Sequence, residues 1–223
     1  MSTAAEQSWS WYGDAVLLDL DGTLVDSGPA VLRNWHWVAD ELGVPFSDFE
    51  PYLHGIPTEQ VLRIVLPEWD GAESRAFAAR QLIREAEDSD DVTAIAGAVE
   101  LLDSLPSYRW AIVTSGDLRL ATTRIRAAGL PMPRVLVTSD DVTAGKPNPA
   151  PYLLAASRLG YPPARCLVIE DAPAGVESGR AAGMHVVGVL TSASALPETS
   201  HEVADLTSVV IEVDRLGVRV SAT

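Results

Sequence analysis

The sequence predicts an α/β protein: a parallel sheet core with helices on both faces, and a small all-helical domain inserted after the first strand. Three observations carry that expectation. Short, β-branched apolar runs bounded by turn residues recur along the chain. From Gly97 onward they alternate with amphipathic segments, the order of elements that a parallel sheet requires. Between the first such run and Gly97, about seventy residues pass without a comparable strand, far more than connects neighbouring elements of a compact domain.

The first buried strand is expected at 15–19 (AVLLD). Residues 27–42 follow as a helix opened by Ser27 and Pro29, with Val31, Leu32, Trp35, Val38, Ala39 and Leu42 at helical spacing and Gly43 as the stop. Further helices are predicted at 58–66, ended by Pro67, and at 71–87. The acidic run 85–91 reads as a solvated exit linker. Strands are then expected at 109–114, 134–139, 165–170 and 185–190, and helices at 117–128, 150–159 and 173–182. Gly129, Gly160 and Gly183 stand just past these helices, where a left-handed cap is commonly glycine. The implied division is a first core segment 1–27, a helical domain 28–96 and a second core segment 97–223.

Composition narrows the function. The 223 residues are 47% hydrophobic and 21% charged, as expected of a folded globular protein. No apolar run is long enough to span a bilayer, and the opening MSTAAEQSWSWYGD lacks the pattern of a secretory signal, so a cytoplasmic protein is expected. A net charge of −15 repels nucleic acid and anionic lipid, and argues against both as partners. The one cysteine, Cys166, sits in the apolar run RCLVIED and reads as a small buried hydrophobe rather than a reactive thiol. Of sixteen basic residues only Lys146 is lysine, which directs attention to it, because a compact ammonium and a planar guanidinium do not substitute for each other in tight quarters.

The chemistry gathers at strand ends. In DLDGTLVDS, Asp19 and Asp21 are two apart, so an extended chain projects both carboxylates to one side. Such a pair repels itself unless a cation or a shared proton relieves it. A bare DxD is structural more often than not; what changes the reading is that later strands end in matching chemistry. Thr114-Ser115-Gly116 offers hydroxyls and backbone N–H groups at a helix start, Gly145-Lys146-Pro147 places the lone lysine, and Glu170-Asp171 adds two acids. Clustered oxygen ligands of this kind suit Mg²⁺ better than Zn²⁺.

Taken in order, DLDGTLVDS, TSG, GKPNPAPY and IEDAPAG resemble the motifs of the haloacid dehalogenase-like hydrolases, specifically their Mg²⁺-dependent phosphatases with a helical cap after the first motif. The resemblance covers nearly the whole chain and implies a Rossmann-like core. It implies that Asp19 is the nucleophile, forming an aspartyl-phosphate, and Asp21 the acid/base. It further implies that Thr114, Ser115, Gly116 and Lys146 hold the phosphoryl group. Asp19, the Asp21 carbonyl and Asp171 would ligate Mg²⁺, with Glu170 assisting directly or through a neighbour. His54, Gly55 and Thr58, in and just after a loop of the helical insert, are candidate substrate contacts. Trp35 and Trp37 fall on different helix faces, so one of them is a candidate for the cleft, although core packing is the plainer expectation.

The expected activity is therefore hydrolysis of a small phosphorylated sugar or polyol by a protein for which a monomer is favoured. A phosphomutase resembling β-phosphoglucomutase is the alternative. The carboxylate of Asp117 after Ser115-Gly116 argues against it, being unsuited to gripping a second phosphate. A non-catalytic phosphate-sensing module is a further alternative, disfavoured by the helical insert and by the placement of DxD on the first strand.

Overall fold

In the computed structural model, residues 9–53, 58–196 and 198–222 are described. The strands are β1 (Trp9–Gly13), β2 (Ala15–Leu18), β3 (Val25–Asp26), β4 (Thr93–Ala94), β5 (Trp110–Val113), β6 (Leu136–Val137), β7 (Cys166–Glu170), β8 (His185–Val189), β9 (His201–Val203), β10 (Val209–Val213) and β11 (Val218–Ala222). The helices are α1 (Gly28–Leu42), α2 (Thr58–Val65), α3 (Gly71–Glu87), α4 (Ala98–Asp103), α5 (Leu118–Ala127), α6 (Ala150–Leu159) and α7 (Pro173–Ala181).

The core is a six-stranded sheet in the order β6-β5-β2-β7-β8-β9, parallel throughout. Alternation along each strand feeds two apolar layers. Val16 and Leu18 of β2 join Ile112, Ile169 and Ile125 on one face, while Ala15 and Leu17 join Val113, Val168 and the α6 residues Tyr152 and Ala155 on the other. Burial on both faces explains why these strands read as continuous apolar runs. Helices cover the two faces, as the spacing predicts.

Strand order fixes where a ligand can sit. The chain runs outward from β2 to β5 and β6, then returns to build β7, β8 and β9 on the other side. β2 is thus the switch point, and the crevice beyond its C-terminal end is where open parallel sheets bind ligands. Asp19 lies one residue past that end, with its N–H donating to the Ile169 carbonyl at 3.0 Å.

The helices α1, α2 and α3 have a core of their own, built on Trp35, Val38, Phe49, Val61, Leu62 and Phe77. The two-residue strands β3 and β4 pair antiparallel, Val25 with Ala94 and Asp26 with Thr93, so the chain enters and leaves this helical segment side by side. α1 stops at Gly43 in the left-handed conformation (φ 64°), and α3 starts with a capping box in which Asp70 accepts from Ala72 and Glu73 while Glu73 reaches back to the Asp70 N–H.

Some expectations need correction. The strand expected at 134–139 shrinks to Leu136–Val137, because Ser139–Asp141 winds into a 3-10 turn held by Thr138 and Asp141. The acidic run 85–91 is no solvated linker: α3 extends through Glu87, Glu85 is buried, and Asp88 and Asp91 clasp Arg33. A small antiparallel sheet, β1-β11-β10, together with α4 and β9, lay outside the sequence reading. No helix among the described residues is long and apolar enough to cross a membrane.

Candidate active site

At the head of β2 the chain turns sharply through Gly22, whose φ of 84° and close approach to the Asp171 carboxylate leave no space for a side chain. The turn sends Asp19 into the crevice and brings Asp171, at the end of β7, beside it. Glu170 precedes Asp171 and is almost fully buried. One carboxylate oxygen from each of Asp19, Glu170 and Asp171 lies within 4.8 Å of the others. Lys146, from the loop before α6, reaches into this group. Its Nζ donates to Asp19 Oδ1 at 2.5 Å, to Glu170 Oε1 at 2.6 Å and to the Val113 carbonyl at 2.9 Å. The ammonium also lies 5.1 Å from the ring centroid of buried Tyr152, whose hydroxyl donates to Glu170 Oε1 at 3.1 Å.

The electrostatics follow from that crowding. Burial raises the Asp19 carboxyl well above the usual carboxylate range, against the pull of the Lys146 cation. Burial pushes Asp171 up to about 6, with Glu170 adding to it, although Thr23 and Ser192 hydrogen bonds favour the charged form. Burial works against the Lys146 ammonium, yet Asp19 and Glu170 outweigh it and hold it well above the ordinary lysine value. Three carboxylates facing one lysine leave an excess of negative charge in a buried place, and such a cluster invites a second cation.

Glu170 is committed on both oxygens. Oε1 takes Lys146 and Tyr152, and Oε2 accepts the backbone N–H groups of Asp171 and Ala172 at 2.9 and 3.0 Å. Gly175 is small for the same reason, since a Cβ there would run into the Glu170 carboxylate. On the neighbouring strand Thr114 is buried and its Oγ1 accepts the Gly116 N–H at 3.1 Å, while Ser115 is exposed. Asp117 caps α5 by accepting the Leu120 N–H at 2.7 Å.

These groups open onto a cavity of about 920 Å³. Asp19, Asp21, Ser115, Gly116, Lys146 and Asp171 line its floor. Val31, Trp35, Leu53 and Leu82 of the helical segment line its opposite wall. Trp35 therefore serves both the helical core and the cleft, whereas Trp37 packs on Phe77 and Arg84. Thr58 is half-buried at the start of α2 and is not among the cavity-lining residues. His54 and Gly55 lie outside the described residues.

The Asp21 carboxylate turns away from the acidic cluster. Its Oδ1 accepts from Ser27 Oγ at 2.8 Å and from Arg124 Nη1 at 2.7 Å, and Arg124 Nη2 donates to Glu85 Oε1 at 2.5 Å. Arg124, Glu85 and Tyr152 escaped the sequence reading. Their partners lie 18 to 103 residues away, and nothing in the local sequence marks the pairing.

A parallel sheet with clustered acids, one lysine and a hydroxyl at its switch point is suited to receive a cation and an anionic group together. The sequence from residue 14 to 183 matches the haloacid dehalogenase-like hydrolase family. The chain belongs to that family and is an enzyme of its phosphatase group. It is 45% identical over 175 residues to hexitol phosphatase A of Escherichia coli strain K12, covering 78% of this chain and 81% of that one. It is 32% identical to glycerol-1-phosphate phosphohydrolase 2 of Saccharomyces cerevisiae, covering 80% and 75% of the two chains. A solved hydrolase from Pseudomonas syringae superposes with a TM-score of 0.75 at 28% identity, over 86% of this chain and 94% of that one.

Proposed function

We propose that the protein is a Mg²⁺-dependent phosphatase that hydrolyses a small sugar or polyol phosphate through an aspartyl-phosphate on Asp19. The observation that carries this reading is the contact of Lys146 Nζ with Asp19 Oδ1, inside a group of three buried carboxylates at the sheet's switch point. The relatives named above, which act on hexitol and glycerol phosphates by their names, support the substrate class.

The donor set fits the metal. All candidate ligand atoms are oxygens, the cluster holds more negative charge than Lys146 balances, and the bare backbone of Gly22 keeps the space beside Asp171 clear. Asp19, Asp171 and the Asp21 carbonyl would hold it; Glu170, with both oxygens engaged, serves chiefly to fix Lys146 and the backbone after β7. Bound there, Mg²⁺ supplies positive charge against the phosphoryl group and the carboxylates around it.

The residues then divide the work. Asp19 Oδ attacks phosphorus and the ester oxygen leaves, taking a proton from Asp21. Water next attacks the aspartyl-phosphate, Asp21 takes its proton, and inorganic phosphate departs as Asp19 is regenerated. Lys146 and the Thr114–Ser115–Gly116 turn hold the phosphoryl oxygens, so most of the catalysis is positioning and charge. Residues 28–96 act as a cap that closes the cleft and chooses the substrate, with Trp35 and Leu53 on its inner wall. His54, Gly55 and Thr58 remain proposed substrate contacts.

The test is phosphate release from a hexitol phosphate, glycerol 1-phosphate and a hexose 6-phosphate. Turnover should require Mg²⁺, stop with EDTA and return with excess Mg²⁺. Release from none of a wide panel of phosphorylated sugars and polyols would overturn the proposal.

A further inference from the structure

The structure assigns Arg124 a part in the reaction: it is the positioning residue of Asp21, and Glu85 of the helical insert is the counter-charge that fixes it. This rests on the phosphatase reading above. Arg124 projects from α5 and is almost completely buried, a place where an arginine persists only with carboxylate partners. It has two, on different parts of the chain. Nη1 meets Asp21 in the loop after β2 and Nη2 meets Glu85 on α3, so one guanidinium joins the sheet core, its catalytic loop and the helical insert. Asn34 of α1 donates to the other Glu85 oxygen at 3.0 Å, which leaves Glu85 a single orientation.

A purely architectural ion pair would need only Glu85. The contact with Asp21 does something specific to that carboxyl group. Both donors, Ser27 Oγ and Arg124 Nη1, fall on Oδ1, and Oδ2 has no hydrogen-bond partner among the described residues. With both partners on Oδ1, Oδ2 is the oxygen left open, on a residue that lines the cleft, to exchange a proton with a leaving group or a water. Ser27 stands at the N-cap position of α1, yet its hydroxyl makes no capping bond and is given to Asp21 instead. The planar fork of arginine reaches both acids at once, which a lysine ammonium at the end of a shorter stem cannot do with the same geometry.

The reaction itself offers a readout that a structural role would leave untouched. An alkyl phosphate expels an alkoxide and depends on the proton from Asp21, whereas p-nitrophenyl phosphate expels a stable anion and does not. Because kcat/KM runs only to the first irreversible step, comparing it for the best alkyl ester of the wide panel above and for p-nitrophenyl phosphate isolates the acid role. Arg124→Met should lower kcat/KM for the alkyl ester by about 100-fold and for the aryl ester by less than about fivefold, the size of a lost general acid. Arg124→Lys should recover part of the alkyl-ester loss. Because Arg124→Met strands Glu85 as a buried unpaired acid, the double variant Arg124→Met/Glu85→Gln removes that charge and carries the same comparison in a protein whose fold is checked by its thermal melting. Equal losses on both esters in the double variant, or no loss on the alkyl ester, would overturn the assignment. A wild-type enzyme that releases phosphate neither from p-nitrophenyl phosphate nor from any alkyl ester of that panel would overturn the phosphatase reading beneath it.

Discussion

Replacing Lys146 by methionine removes the one cation from a group of three buried acids. Asp19 and Glu170 each lose a charged partner at 2.5 and 2.6 Å, and the Val113 carbonyl loses a donor at 2.9 Å. Removing one member of a buried, hydrogen-bonded pair costs about 3–5 kcal/mol, because the partner is left charged and unpaired. For a chain of this size that corresponds to a fall in Tm of about 6–20 °C. Asp19 responds by taking up a proton, since burial already raises its carboxyl and the opposing cation is gone. A protonated carboxyl is a poor nucleophile, so turnover should fall below detection even at temperatures where the variant is folded. Lys146→Arg should keep much of the stability yet remain inactive, because the guanidinium does not fit between Tyr152 and the two carboxylates in the place of a compact ammonium. Differential scanning calorimetry and phosphate release from glycerol 1-phosphate measure both effects. A Lys146→Met protein melting within about 1 °C of wild type, or a Lys146→Arg protein with near-normal rates, would refute the reasoning.

Asp19→Asn should abolish turnover and leave far-UV circular dichroism unchanged, since the amide keeps the shape but cannot form the acyl-phosphate; measured residual hydrolysis would decide against it. Phe49→Ala opens a cavity in the helical core beside Trp35, whose ring lies 5.5 Å away, and should cost about 3–5 kcal/mol in urea unfolding. It should also raise KM, because Trp35 forms part of the cleft wall. Cys166 is buried in β7 and its thiol is pushed up to about 12, so Ellman's reagent should label it only as the protein unfolds. Rapid labelling of native protein would contradict that burial.

Much of this site could be read along the chain. Asp19, Thr114 and Asp171 each close an apolar run, Lys146 stands in the loop that follows another, and a parallel sheet brings the ends of its strands to one edge whatever lies between them. The lone lysine among fifteen arginines marked its own importance, and three buried oxygens now surround it. What stayed hidden depends on tertiary pairing. Nothing local separates Arg124 from its neighbours Arg119 and Arg126 on the same helix; only the docking of α3 against α5 buries it and gives it Glu85. Glu85 was masked by its own surroundings, because it opens an acidic run whose later members Asp88 and Asp91 are surface groups bound to Arg33. The β1-β11-β10 sheet escaped for a different reason. Its partners come from opposite ends of the chain, Trp9 against Ala222, and half of its residues face solvent, so neither strand carries the unbroken apolar run of the central sheet.

The account turns on a covalent bond to Asp19. In the Asp21→Asn variant the second half of the cycle loses its base, so enzyme quenched in acid during turnover of p-nitrophenyl phosphate should carry one phosphoryl group, located by peptide mass spectrometry on the segment holding Asp19. The same quench of Asp19→Asn should yield none. A phosphoryl group on another residue, or a wild-type enzyme that turns over while neither it nor Asp21→Asn ever carries one, would contradict the account.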